Sequence, residues 1–174
     1  DVCSSDLVLL ASGAQERPMP FTGWQLPGIM TVGAAQILLK TARQIPAQAV
    51  VVAGSGPLLL LYVHQLLAAG GSVAAILDTT PRGGLKAAAR LLPGALGYGW
   101  RDLLRGASWW AEMRHIPIVR EVRSLIARGI ERLDAISYST ARGESGEIPA
   151  EVLLVHDGVV PAIHATLAAG CDHR

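Results

Sequence analysis

Ala49-Val-Val-Val-Ala53-Gly54-Ser55-Gly56-Pro57-Leu58-Leu59-Leu60-Leu61-Tyr62 is the stretch that decides the fold. An apolar run rich in β-branched residues stops at two glycines, and a second apolar run opens at once with Pro57. Strand, tight turn, helix is the order in which a nucleotide-binding βαβ unit begins. Glycines let the turn close and let a phosphate approach the backbone. The N–H groups of the new helix then face the anion with the helix dipole behind them. Pro57 falls at a first-turn position, where its missing N–H costs little. Gly54 and Gly56 fill the first two positions of the G-x-G-x-x-G/A pattern, and Leu59 stands at the third. The candidate nucleotide contacts are Gly54, Ser55, Gly56, Pro57 and Leu58.

The helix is predicted to run to about Ala69, where Gly70-Gly71 stops it. A second strand follows over residues 72–77, and Asp78 closes it. Asp78 lies 78 − 56 = 22 positions after Gly56. In dinucleotide sites an acidic residue about 20 positions on accepts from the ribose 2′-OH. The alternative is that Asp78 caps the turn Thr79-Thr-Pro-Arg82. An Asp here argues against a 2′-phosphate and for NAD(H) or another adenine nucleotide. Arg82 points the other way, because a guanidinium can bind such a phosphate or stack on adenine.

Working outward, residues 7–11 read as a short buried strand that turns away at Ser12-Gly13-Ala14. Residues 15–27 hold Pro18, Pro20, Gly23 and Pro27 and form an irregular connector anchored by Phe21 and Trp24. A helix over residues 32–43 shows Ala35, Leu38, Leu39 and Ala42 at helical spacing, with Lys40 and Arg43 where cations suit the dipole. Residues 84–113 read as helical, with Leu85, Ala88, Ala89 and Leu92 in one stripe and a break at Pro93-Gly94. Trp100, Leu103, Leu104, Trp109 and Trp110 follow. They are core or hydrophobic contacts first and a ligand wall second. Segments 116–119, 120–126, 130–140 and 151–155 read as strands, with Gly-containing turns at 127–129 and 142–147. This is an antiparallel meander, usable as a crossover back to a parallel sheet. His156-Asp157-Gly158 is a polar turn at a strand's carboxyl end, where open α/β sheets hold ligands. Asp157 and Gly158 therefore join the candidate contacts, and residues 161–169 read as a helix. The fold class is α/β: a Rossmann-like, three-layer nucleotide-binding domain with a parallel sheet and an antiparallel β-meander crossover.

Composition narrows the function. The 174 residues are 51% hydrophobic and 17% charged, with a net charge of +1, which suits a globular domain and gives no reason to expect nucleic acid as a partner. The two cysteines, Cys3 and Cys171, are far apart and form no C-x-x-C, so neither a disulfide scaffold nor a metal site is expected. A reduced, cytoplasmic setting follows as the default. Residues 49–77 are apolar, but Gly54-Ser55-Gly56-Pro57, His64, Gln65 and Gly70-Gly71 interrupt them. A buried strand with its covering helix is expected, not a transmembrane segment. No acid–base or nucleophile constellation emerges, since adjacency in Cys171-Asp172-His173 is not a triad. His64, His115, His156 and His164 lack metal spacing. His64 reads as a satisfied core or surface histidine, and His156-Asp157 as the best polar contact to a nucleotide. Catalytic residues stay unassigned.

Several of these stretches carry a resemblance. Residues 7–20 resemble the A-T-G stretch of flavoproteins of the pyridine-nucleotide–disulfide oxidoreductase type, with Ser12 in place of Thr and Gly13 retained. Gly54-Ser-Gly56-Pro-Leu-Leu is similar to that family's second dinucleotide motif. Val155-His-Asp157-Gly158-Val-Val-Pro161 is similar to the strand and G-x-x-P-N turn that lead back to its FAD domain, with Ala162 where Asn stands. Gly13-Ala-Gln-Glu-Arg-Pro-Met-Pro20, Gly33-Ala-Ala-Gln36 and Gly170-Cys-Asp-His-Arg174 resemble the branch of hydrogen cyanide synthase subunits and the alpha subunits of opine oxidase and hydroxyproline dehydrogenase.

The resemblance implies an FAD-dependent oxidoreductase of amine, imino-acid or opine type, of which this chain is a fragment inactive alone. The family's first G-x-G-x-x-G is expected before Leu7 and its G-D motif after Arg174. Residues 1–6 read as a translated sequencing adapter. Residues 7–46 would be the edge of the FAD domain and a connector, 47–158 the NAD(P)-type domain, and 159–174 the start of the return to the FAD domain. The turn at Ser12 and Gly13 would pack against FAD. The flavin does the hydride chemistry in such proteins, so no catalytic cluster is required here. A second oxidoreductase subunit is the implied partner, through which the protein would reach a membrane if at all. The alternative is a non-catalytic module that binds an adenine nucleotide, or pairs subunits, in a heteromeric dehydrogenase. Leu59 at the third motif position favours it.

Overall fold

The computed structural model describes residues 7–81, 83, 94 and 99–172. In chain order the elements are β1 (Ala14–Glu16), β2 (Ile29–Thr31), α1 (Val32–Ala42), β3 (Val50–Gly54), α2 (Pro57–Ala68), β4 (Val73–Asp78), α3 (Trp100–Glu112) and a 3-10 turn (Met113–His115). They continue as β5 (Ile118–Val119), β6 (Val122–Arg128), β7 (Ala135–Thr140), β8 (Ser145–Pro149), β9 (Leu153–His156), β10 (Val159–Pro161) and α4 (His164–Ala168). Arg82, Pro93, the stripe from Leu85 to Leu92 and His173 lie outside the described residues.

Among the described residues, five parallel strands form the central sheet in the order β2-β9-β3-β4-β5. β3 is buried at every position, as a strand covered on both faces must be. Its side chains alternate between two cores. Val50 and Val52 face α1 and α2 with Leu59, Tyr62, Val63 and Leu66, whereas Val51 and Ala53 face the antiparallel sheet β6-β7-β8. β9 repeats the pattern, with Leu154 on the helix side and Leu153 and Val155 on the meander side. Helices, parallel sheet and meander are thus the three layers read from the sequence.

The chain leaves β3 for β4 and β5 on one side, then returns through the meander to β9 on the other. The order therefore reverses between β3 and β9, and Gly54 pairs with His156 at the carboxyl end of that seam. Open α/β sheets bind ligands at such a switch point.

Several boundaries differ from the sequence reading. Residues 7–11 form no strand, and Leu7, Val8 and Leu9 are exposed. An apolar run becomes a buried strand only where a neighbouring strand and a covering layer take it in. Among the described residues no ladder includes 7–11. The third meander strand is β8, which overlaps the end of the segment read as a polar turn at 142–147, and residues 153–156 belong to the parallel sheet. Ile29–Thr31, read only as a lead into α1, is an edge strand paired with β9. The last helix begins at His164 rather than Pro161, because Val159–Pro161 pairs with β1. Phe21 packs on the meander-side core, but Trp24 and Leu38 are exposed.

Candidate functional site

The turn from β3 into α2 is built by contacts that only glycine permits. Gly54 has φ +136°, and an added Cβ would fall on the His156 carbonyl oxygen. The same oxygen accepts the Ser55 N–H at 3.0 Å, and the Gly54 oxygen accepts the Thr79 N–H at 3.0 Å. The turn is therefore stitched to the strands on both sides. Gly56 caps α2 at φ +96° with no side-chain hydrogen bond to the helix. The first-turn N–H groups have no intrahelical acceptor and remain available to an anion. A Cβ on Gly56 would approach only the His156 imidazole, at 4.0 Å, so the space above the cap is open. Pro57 holds the first helical position, and Leu58 packs against the helix-side core.

Beside this turn lies a cavity of about 160 Å³ lined by Gly54, Ser55, Gly56, Leu59, Leu60, Ile76, Asp78, Thr80, Trp110 and Ile118. Its walls are mostly aliphatic and aromatic, with Asp78 and Thr80 at the polar end. Asp78 Oδ1 accepts the Thr80 N–H at 2.9 Å. The turn-capping reading of Asp78 is thus met, and its carboxylate also borders the cavity. Leu59, at the third motif position, is buried in the core and forms part of the wall.

Trp110, which the sequence places among core contacts first and ligand-wall residues second, lines this cavity. Successive helical residues point about 100° apart, so adjacent tryptophans take different roles. Trp109 joins the helix-side core and stacks on His64 at 5.5 Å, while Trp110 reaches the cavity. His64 Nδ1–H donates to Glu112 Oε2 at 2.6 Å, which ties α3 to α2. Trp100 is half exposed, with the Arg101 guanidinium 5.4 Å from its ring centroid.

The other predicted residues gather at a second place. β1 and β10 pair as an antiparallel ribbon. Ser12 Oγ–H donates to the Ala162 oxygen at 2.5 Å, the Ala162 N–H to the Gly13 oxygen at 2.9 Å, and the Arg17 N–H to the Gly158 oxygen at 2.9 Å. Ser12 and Gly13 are thereby joined to the chain that follows Asp157 and Gly158, although about 150 positions separate them. Among the described residues, a side-chain pair connects this ribbon to the glycine turn. His156, 4% exposed and on β9, meets Glu16 of β1, with Nδ1 at 2.6 Å from Oε1. The second Glu16 oxygen accepts the Gly33 N–H at 2.8 Å, at the start of α1. Glu16 carried no sequence signal, being 140 positions from its partner in an irregular-looking connector. Burial pushes the pKa of the Tyr62 phenol up.

No family profile matches the chain. Its sequence relatives include the A subunits of opine oxidases. The one from Rhizobium meliloti is 42% identical over 171 residues, covering 98% of this chain and 32% of that protein. The one from Agrobacterium tumefaciens, strain Ach5, is 42% identical over 169 residues, with 97% and 33% covered. Hydrogen cyanide synthase subunit HcnB of Pseudomonas aeruginosa is 46% identical over 71 residues, 41% of this chain and 15% of that one. The chain thus spans about a third of the length of the opine oxidase relatives. Among solved structures, a 2-naphthoyl-CoA reductase matches with a TM-score of 0.64 at 16% identity, over 92% of this chain and 21% of that one. The L-proline dehydrogenase of P. horikoshii matches at 0.54 and 16%, over 93% and 23%. These likenesses fix the fold. The sequence relatives are oxidoreductase subunits of the branch that the strings around Gly13, Gly33 and Gly170 resemble.

Proposed function

We propose, from its kinship with the A subunits of opine oxidases, that this chain is the second dinucleotide-binding domain of a flavin-dependent oxidoreductase subunit. The observation that carries this is the β3–Gly–α2 cradle at the switch point, with Asp78 at the end of the neighbouring strand. The open α2 N-terminus would take the phosphates of NAD(H) or another adenine nucleotide. Gly54, Ser55, Gly56, Pro57 and Leu58 would form the cradle, and Asp78 would accept from the ribose. The β1–β10 ribbon, with Ser12, Gly13, Asp157 and Gly158, would form one edge of an FAD site completed by chain beyond these residues. A bound flavin would supply hydride transfer, while the residues here bind and orient. Amines, imino acids or opines are the substrate class, a second oxidoreductase subunit the partner, and the cytoplasm the setting. Among the described residues no helix is long and apolar enough to cross a membrane.

A second reading is favoured by the cavity itself. At about 160 Å³, with Leu59, Leu60 and Trp110 as walls, it suits one apolar ring better than a whole dinucleotide. On that reading the domain holds an adenine nucleotide statically and serves to pair subunits.

Titration calorimetry with ADP and NADH tests the proposal. The chain is expected to bind ADP, and Gly56→Val to abolish binding. The valine would be strained at φ +96° and would fill the space above the helix cap. Failure of the unmutated chain to bind either nucleotide would overturn the proposal. Equal affinity for ADP and NADH, with no oxidation of NADH by the flavin-loaded full-length subunit, would select the static reading.

A further inference from the structure

We propose that His156, held by Glu16, takes up a proton when the glycine turn binds its anion and donates that proton's hydrogen bond to the ligand. The inference rests on the nucleotide reading and names a binding residue that the glycine motif does not contain.

His156 ends β9 beside Gly54, at the point where strand order reverses. Its side chain is almost wholly buried, yet its Cδ2 and Nε2 atoms border the open space above Gly56. The far side of the ring is fixed. A carboxylate only accepts, so the 2.6 Å contact to Glu16 places a proton on Nδ1. Glu16 is held in turn, because its other oxygen takes the Gly33 N–H. A Cβ on Gly33 would press on that carboxylate, the end of a flexible side chain.

Nε2 is left toward the turn, with no hydrogen-bond partner among the described residues. In the neutral ring Nε2 is an acceptor whose lone pair repels a phosphate oxygen. In the imidazolium it is a second donor, beside the α2 N–H groups. Glu16 balances the positive charge. The other charges nearby are Arg17, next to Glu16 and bonded through its N–H to the Gly158 oxygen, Asp157, next to His156, and Asp78, closing β4 across Gly54. On the packed helices, Lys40 lies in the last turn of α1, away from Glu16, and His64 of α2 is bonded to Glu112. Tyr62 of α2 lies in the helix-side core. Glu16 is therefore the group in contact, and anion and proton stabilise each other's binding.

Calorimetry of the full chain with ADP, at about pH 8.5 and in two buffers of different ionisation enthalpy, reads the proton directly. Uptake of about one proton per ADP is expected. His156→Asn puts an amide where Nδ1 was and keeps the bond to Glu16. It should lose the uptake and weaken ADP on the order of 10-fold. His156→Gln puts a neutral donor near Nε2 and should recover affinity without proton uptake. Adenosine, which has no phosphate, should bind the parent and both variants alike and so report an intact site. ADP binding by the parent without proton uptake would overturn the inference. If ADP fails but pyrophosphate binds with uptake, the nucleotide reading falls and the His156 role stands. If neither anion binds, both fall.

Discussion

Tyr62 shows how one atom can work against its own burial. The ring is among the largest fully buried side chains, packed under α1 with Val32, Ala35 and Val63. Its hydroxyl has no hydrogen-bond partner among the described residues, and burial pushes the phenol's pKa up. A buried, unpaired hydroxyl costs about 1–3 kcal/mol, whereas the ring supplies the packing. Tyr62→Phe keeps the ring, and urea unfolding should show a gain of about 1 kcal/mol. A loss of that size would mean that the hydroxyl bonds something in solution. Residues of this kind differ in how well the sequence exposes them. The places of Gly54 and Gly56 in the turn and of Asp78 at the end of β4 were legible because short-range spacing along one strand–turn–helix–strand unit sets them. Glu16 was not, because its role exists only once β1 and β9 approach. Trp110 was half legible: three neighbouring tryptophans signalled an apolar surface, but only helix phase separates the core-facing ring from the cavity-facing one.

At the scale of elements, the attachment of α3 to α2 has two parts that can be ranked. The His64–Glu112 pair is at hydrogen-bond distance, but both side chains are more than a third exposed. Solvent screening leaves such a pair worth about 0.5 kcal/mol. Trp109 is partly buried in the helix-side core and stacks on the same histidine. Removing so large a ring costs about 2–3 kcal/mol when burial is partial. Trp109→Ala should therefore destabilise several-fold more, in free energy, than Glu112→Gln. Chemical unfolding of the two variants followed by circular dichroism checks the ranking. The same comparison shows which elements a sequence can declare. β3, α2 and β4 were legible because Gly54, Gly56 and Gly70, each at positive φ, punctuate continuous apolar runs. β8 was not. Ser145-Gly-Glu-Ile-Pro149 has turn composition, and its strand state comes from the ladder to β7. Residues 7–11 erred in the opposite direction, since apolar composition cannot announce whether a neighbouring strand is present.

For the whole molecule, the two cores among the described residues lie on opposite faces of the parallel sheet. β9 contributes Leu154 to one and Leu153 to the other, and it is paired on one side to β2 and on the other to β3. A defect on the meander side must therefore be felt on the helix side if the layers unfold as one unit. Leu153→Ala removes a fully buried side chain from the meander side. A loss of about 3 kcal/mol is expected, equivalent to a fall in Tm of roughly 6–12 °C at this size. Trp100, Trp109 and Trp110 lie on α3, so tryptophan fluorescence reports mainly the helix layer, while far-UV circular dichroism includes the meander strands. Both signals should move by the same amount in Leu153→Ala. A fluorescence midpoint left in place while the circular dichroism midpoint falls would mean that the meander melts separately. His156 would then lie at a seam between two folding units, and the Gly54–His156 pairing would lose its rigid support. Coincident transitions would instead mean that the glycine turn is held by the whole three-layer structure, as a phosphate cradle with little freedom to rearrange requires.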